Sequence, residues 1–274
     1  MIKKDYNLLL EIFEKYYDSY EEMLDRVKDV ENDTVIWSDS YLEFFPYQYA
    51  LNQLKKPKIY KTEPESNEDI IVNRLKDGEL YYSYDNENKG WGSVFVIKED
   101  GMKLYLRFLN NDNDEIVLEQ VYCVVFKETV IEKVLFYLKD VDLDGDEELN
   151  EETFLVDTYS YNRNESINTI IRNGFYHESK NIVPTRTFRF EYVNEDIFIY
   201  SKQLKLNQMD IEELIWKIKK PKSSKKWIMW TKPICFLDLS AIHTLNPDLA
   251  KTVGNSTISK KRISSSRKRC SKNT

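Results

Sequence analysis

Apolar and polar residues alternate through the middle of the chain, and this alternation constrains the fold more than any other feature. The run 102–108 places Met, Leu, Leu and Phe at every second position, and the run 187–192 does the same with Phe, Phe and Tyr. A period of two is typical of strands with one buried face. Hairpin dipeptides punctuate the same region, at Asp77-Gly78, Asp100-Gly101, Asp144-Gly145 and Asn173-Gly174. From about residue 80 to residue 200 we therefore expect an antiparallel sheet of six to eight strands in meander order.

Helical periodicity appears on both sides of this region. From Asp5 to about Glu31, apolar residues recur at intervals of three and four, and acidic residues fill the other face. A shorter helix is predicted around 41–54, and Pro46 interrupts it. A further helix is predicted from Met209 to Lys220, with acids at its start, lysines at its end and Pro221 to stop it.

The predicted fold class is therefore α+β, with N-terminal helices, a central antiparallel meander sheet, a C-terminal helix and a disordered basic tail. We divide the chain into a helical N-terminal section (1–60), a β-rich core with the C-terminal helix (61–250) and the disordered tail (251–274). A hydrophobic content of 41% excludes wholesale disorder, and no run reaches the roughly 18 apolar residues of a membrane span. Three widely spaced cysteines fit reduced thiols, so we expect a cytoplasmic protein, or a nuclear one in a eukaryote.

The net charge of −7 conceals two oppositely charged parts. The first 200 residues contain 23 basic and 42 acidic residues, whereas the remaining 74 contain 17 basic and 5 acidic ones. Such a division favours attraction of the two parts to each other or to different partners. A strongly acidic body is the composition expected of a protein that recognises a basic partner.

The segment 140–151 fits the calcium-loop pattern D-x-[DN]-x-[DN]-G-x5-E at every specified position. Ca²⁺ prefers six to eight oxygen ligands, and Gly145 stands where the loop must turn sharply. The candidate metal ligands are Asp140, Asp142, Asp144, Asp146, Glu148 and Glu151.

Several interpretations of this loop stay open. An EF-hand needs flanking helices and an apolar residue where Glu147 stands, so the run 138–149 more closely resembles the single Asp-rich calcium hairpin of bacterial integrin-like β repeats. The alternative is a solvated acidic hairpin without any cofactor. The run Asp142-Leu143-Asp144-Gly145 also resembles the first motif of haloacid-dehalogenase-type phosphatases, and 140–142 resembles the D-x-D of nucleotide-sugar transferases. However, Asp146 replaces the phosphatase threonine.

Two basic segments form a candidate nucleic-acid surface. Basic charge interleaved with aromatic rings is typical of surfaces that bind phosphates and stack on bases. The segment 216–232 and the tail, which resembles a nuclear-import or nucleic-acid-binding arm, provide these residues: Trp216, Lys217, Lys219, Lys220, Lys222, Lys225, Lys226, Trp227, Trp230, Lys260, Lys261, Arg262, Arg267, Lys268 and Arg269. The alternative is that the tryptophans belong to the core and the lysines are simply solvated.

The chain is poor in catalytic signals. His177 and His243 are its two histidines, neither has a ligand-spaced neighbour, and no phosphate-binding glycine motif occurs. We therefore expect no catalytic residues and a non-enzymatic binding protein whose acidic body recognises a basic protein, as an inhibitor or immunity protein does. Nucleic-acid binding through the basic segments is the first alternative, and a divalent-metal-dependent enzyme centred on the acidic loop is the second.

Overall fold

The computed structural model describes residues 2–31, 33–66, 68–89, 92–111, 115–139, 152–176, 181–203 and 212–219. Its helices are α1 (Ile2–Tyr16), α2 (Tyr20–Lys28) and the short α3 (Gln48–Leu51). The predicted helix at 5–31 is thus two helices. The break falls at Ser19, whose backbone N–H and side-chain hydroxyl both donate to the carbonyl oxygen of Tyr16.

The described strands are β1 (Thr34–Ser38), β2 (Ile59–Tyr60), β3 (Ile71–Lys76), β4 (Glu79–Asp85), β5 (Ser93–Glu99), β6 (Met102–Asn110), β7 (Ile116–Lys127), β8 (Val130–Lys139), β9 (Glu152–Tyr161), β10 (Ile167–Tyr176), β11 (Asn181–Val193), β12 (Asp196–Gln203) and β13 (Glu212–Ile218). They form one antiparallel sheet in the order β13-β12-β11-β10-β9-β8-β7-β6-β5-β4-β3-β1-β2. The predicted antiparallel sheet is confirmed, and the α+β class is compatible only in the coarse sense that a few helices accompany a dominant sheet. The predicted meander order is wrong at one end of the sheet, because β1 lies between β3 and β2. The sheet nevertheless has 13 strands in the described part of the chain, where the sequence indicated six to eight.

Tight turns explain why consecutive strands are neighbours. At Asp77-Gly78 both residues have positive φ, and Lys76 pairs directly with Glu79, which is the two-residue hairpin that the sequence predicted. Asn194-Glu195 forms the same kind of turn between β11 and β12 without any glycine. Asn173-Gly174 is different, because it lies inside β10 at a register shift. The hairpin turn predicted at Asn173-Gly174 is therefore wrong.

The predicted C-terminal helix at 209–220 is wrong over its described part. Residues 212–218 form β13, which pairs antiparallel with β12, for example Ile197 with Ile218. Ile215, Trp216 and Ile218 pack against the core next to that strand. Pairing with a neighbouring strand therefore outweighed the local helical pattern.

Each face of the sheet carries its own hydrophobic core. On one face α1 and α2 cover strands from β4 to β9, and their buried side chains are Leu9, Ile12, Phe13, Tyr16, Tyr20, Met23 and Val27. On the other face the segment 41–51, which contains α3, packs over strands from β6 to β12. Phe44 stacks on Tyr105 there, with ring centroids 4.6 Å apart. The sheet is therefore the middle layer of three in this part of the molecule.

Candidate functional site

The two N-terminal helices are fixed on the sheet by polar contacts as well as by their buried stripe. The buried carboxylate of Asp5 pairs with Lys133 Nζ at 3.1 Å, which joins α1 to β8. The backbone N–H of Leu118 donates to the carbonyl oxygen of Tyr17 at 3.0 Å, which joins the link between the helices to β7. The solvent-facing side of both helices is thus held in a defined orientation.

That outward side is predominantly acidic. Between residues 2 and 31 the exposed basic residues are Lys3, Lys4, Lys15, Arg26 and Lys28. Two of these cations are already paired: Lys15 with Glu99 at 3.2 Å and Arg26 with Glu22 at 2.7 Å. Seven exposed carboxylates have no hydrogen bond or ion pair within the described residues, and we call them the acidic helix face: Glu11, Glu14, Asp18, Glu21, Asp25, Asp29 and Glu31.

The spacing of these carboxylates follows from the helical repeat. Asp18, Glu21, Asp25 and Asp29 recur at intervals of three and four, which aligns them along one side of α2 and its ends. Tyr20, Met23 and Val27 occupy the opposite side and are buried against the sheet. Like charges that are four residues apart destabilise a helix slightly, so α2 keeps this row at a small cost that its packing offsets.

A second acidic element begins beside α1. The last described pair between β8 and β9 is Lys139 with Glu152, and these two residues flank the segment 140–151. Glu152 accepts hydrogen bonds from the hydroxyls of Tyr6, at 2.7 Å, and Tyr137, at 3.0 Å. Burial, followed by the hydrogen bond to Glu152, raises the pKa of Tyr6 to about 12. The base of the acidic loop is therefore tied to α1.

The candidate metal ligands themselves lie outside the described residues, because Asp140, Asp142, Asp144, Asp146, Glu148 and Glu151 all fall within 140–151. The segments on either side of them are strands, as a calcium hairpin requires and an EF-hand does not. Within the described ranges no group of three or more His, Cys, Asp or Glu side chains is arranged to hold a metal ion. Ca²⁺ binding at this loop stays a prediction.

The candidate nucleic-acid surface is described at three of its fifteen residues, namely Trp216, Lys217 and Lys219. Trp216 is partly buried and packs against the core on the α3 side of the sheet. Lys217 pairs with Asp196 at 3.3 Å and lies over the ring of Phe198. Lys220, Lys222, Lys225, Lys226, Trp227, Trp230, Lys260, Lys261, Arg262, Arg267, Lys268 and Arg269 lie outside the described residues, as do both histidines.

A buried polar cluster on the α3 side of the sheet was not predicted from the sequence. Arg172 on β10 donates to both carboxylate oxygens of Asp157 on β9, at 2.7 and 2.8 Å, and its third contact reaches Asn52 Oδ1 at 2.8 Å. Arg172 and Asp157 are only 7% and 3% exposed. Asn52 ends α3, so the cluster fastens the segment over the sheet. The sequence did contain one signal for Asp157: it lies two and four residues before Tyr159 and Tyr161, which face the core, so alternation along the strand places Asp157 on the same buried face.

Phenol groups surround this cluster. Burial raises the pKa of Tyr122 to about 12, although nearby Arg172 lowers it in part. The hydroxyl of Tyr159 is fully buried and has no hydrogen-bond partner within the described residues. Glu43, which accepts a hydrogen bond from the backbone N–H of Tyr49 at 3.3 Å, has a raised pKa because burial penalises its charged form. Burial thus disfavours the charged forms of Tyr122 and Glu43, which suits a structural role.

The chain is thus an α+β protein built on a 13-strand antiparallel sheet, with one helical layer that is acidic on its outer side. No protein-family model, no curated protein and no solved structure matches the chain significantly. Among the described residues, none of the helices has the length and apolar character needed to cross a membrane.

Proposed function

We propose that the chain is a non-enzymatic binding protein whose acidic helix face recognises a basic protein partner, in the manner of an inhibitor or immunity protein. The observation that carries this proposal is the row of exposed carboxylates on α1 and α2 that have no partner within the described residues. A basic partner would pair with charges that have no partner within the described residues, and the resulting field would speed encounter.

The structure of the helices supports this use of the surface. The acidic helix face lies on elements that pack against β7, β8 and β9 in the middle of the sheet, so its charges are held on a rigid support. Interfaces of this kind lose little conformational entropy on binding because their backbone is already ordered. The described residues together carry 34 acidic and 25 basic side chains, a net charge of −9, which disfavours a polyanion such as nucleic acid as the partner of this part of the chain.

The polar chemistry of the described residues also supports binding rather than catalysis. The buried charges of Arg172 and Asp157 are engaged in a mutual bidentate pair. The thiol of Cys123 is buried, which raises its pKa to about 12 and leaves it unreactive at neutral pH. A recognition surface needs none of these groups to react, whereas it does need the exposed carboxylates.

Affinity capture with the full chain as bait, followed by charge neutralisation, tests the proposal. We expect one basic protein to be recovered in stoichiometric amount at low salt. Neutralising three members of the acidic helix face together, as Asp18→Asn, Glu21→Gln and Asp25→Asn, should then weaken the purified complex by about tenfold or more, because each close charge pair contributes on the order of 0.5–1 kcal/mol at a partly exposed rim.

A matched control removes the same charge elsewhere. Glu65, Glu87 and Glu128 are exposed and lie in loops or turns outside α1 and α2. Their combined change to glutamine should leave the affinity almost unchanged. Equal weakening by the two triple variants would show that net charge alone matters, and the absence of any stoichiometric partner would count against the proposal.

A further inference from the structure

The last described strand, β13, ends the sheet, and its outer edge has no partner within the described residues. Within the described part of the chain, this edge of a seven-residue strand presents backbone N–H and C=O groups that have no ladder partner. Ile215, Trp216 and Ile218 on this strand are only partly buried, and they lie at the rim of the core on the α3 side. Leu214 is 52% exposed. The edge therefore combines unpaired backbone with apolar side chains.

The charges of β13 are arranged in a self-complementary order. Glu212 and Glu213 open the strand, whereas Lys217 and Lys219 lie at its end. An antiparallel copy of the same segment can place Glu212 of each chain opposite Lys219 of the other, so this contact occurs twice by symmetry. A parallel copy would instead place like charges side by side, which is unfavourable.

The faces of the strand fix the register. Trp216 pairs with Ile199 and Leu214 pairs with Tyr200, so Ile215 is the extra residue of a bulge. Ile215 and Trp216 consequently both face the core on the α3 side. A two-fold axis between these two residues sets Ile215 opposite Trp216 of the second copy and Glu212 opposite Lys219. Residues that are paired across an antiparallel ladder must point to the same side of the sheet, and this register satisfies that condition.

We propose that β13 pairs antiparallel with β13 of a second copy of this chain, which joins two sheets into one continuous sheet. Pairing buries Ile215 of each copy against Trp216 of the other and adds the contacts between Glu212 and Lys219 on the opposite side of the sheet. The helices α1 and α2 contact β7, β8 and β9 rather than β13, so both copies keep their acidic helix face free. This pairing does not depend on the proposed function.

Sedimentation of the full chain over a wide range of concentration tests the pairing. We expect a reversible monomer–dimer equilibrium. Lys219→Glu and Glu212→Lys should each weaken dimerisation roughly two- to thirtyfold, because each Glu–Lys contact occurs twice in the dimer. The double variant exchanges the charges and should recover most of the affinity. A chain that is monomeric at every concentration would overturn the proposal. This is the result expected if another segment or another protein occupied this edge.

Net charge predicts a different pattern, which makes the two explanations distinguishable. Glu212→Lys brings the chain closer to neutrality and Lys219→Glu takes it further away, so a general charge effect would strengthen association in the first variant and weaken it in the second. The proposed edge predicts weakening in both. Glu212 also pairs with Arg189 at 2.8 Å, an exposed contact, so the melting temperature of each variant is recorded to separate loss of folding from loss of pairing.

Discussion

Breaking the buried pair of Asp157 and Arg172 should be among the most damaging single changes at any polar site of the sheet. Asp157→Asn removes the charge that compensates an arginine exposed by only 7%. Loss of one partner of a buried ion pair typically costs about 3–5 kcal/mol, because the other charge stays desolvated. Such a loss is a large share of the ~5–15 kcal/mol that stabilises a protein domain.

Chemical denaturation of the wild type and the variant measures this loss. The chain offers a matched control on the same sheet, because Arg189 also makes a bidentate contact, with Glu212 at 2.8 and 2.9 Å, but both side chains are 38% exposed. Arg189→Met should therefore cost no more than about 1 kcal/mol. In a double-mutant cycle, Asp157→Leu with Arg172→Met should cost much less than the sum of the two single changes. Equal losses for Asp157→Asn and Arg189→Met would refute the reasoning.

Three further predictions concern Glu43, Gly174 and the acidic loop. Burial raises the pKa of Glu43, so ionisation of this carboxyl penalises the folded state once the pH rises above the pKa that Glu43 has in the unfolded chain. Glu43→Gln should therefore raise the melting temperature near pH 7 and leave it unchanged near pH 3. An equal effect at the two pH values would contradict this prediction. Gly174→Ala should destabilise the folded chain by more than about 1 kcal/mol, and by more than Gly101→Ala does. A Cβ at position 174 would lie 2.0 Å from the carbonyl oxygen of Phe154, whereas a Cβ at position 101 would lie 3.9 Å from the carbonyl oxygen of Phe126. If the loop binds Ca²⁺, a free Ca²⁺ concentration a hundredfold above the dissociation constant should stabilise the chain by about 2.7 kcal/mol. Asp142→Asn should abolish the resulting shift in melting temperature. A melting curve that excess Ca²⁺ leaves unchanged would refute the predicted site.

Local patterns predicted the regular parts of the fold well. The alternation in 102–108 and 187–192 corresponds to β6 and β11, and the periodicity of 5–31 corresponds to α1 and α2. These segments are long enough for one buried face to dominate the pattern. Asp77-Gly78 also forms its turn, because both residues accept the positive φ that a two-residue hairpin requires.

Short or ambiguous segments explain what the sequence did not predict. Residues 212–218 combine two acids at the start with Lys217 near the end, a pattern that fits a helix and an edge strand equally well over seven residues. Turns without glycine, such as Asn194-Glu195, concealed several strand boundaries. The pair of Asp157 and Arg172 depends on the register between two strands, which periodicity alone does not give. The exposed acids of the helices were predictable, but their freedom from partners depends on tertiary contacts.

The central claim is that the acidic helix face drives recognition of a basic protein. Its most direct test is the association rate constant of the purified complex, measured by stopped-flow as a function of ionic strength for the wild type and for the Asp18→Asn, Glu21→Gln, Asp25→Asn variant. We expect a steep fall with added salt for the wild type, and a slower rate with a shallower dependence for the variant. Identical rates and identical salt dependence for the two proteins would contradict the account.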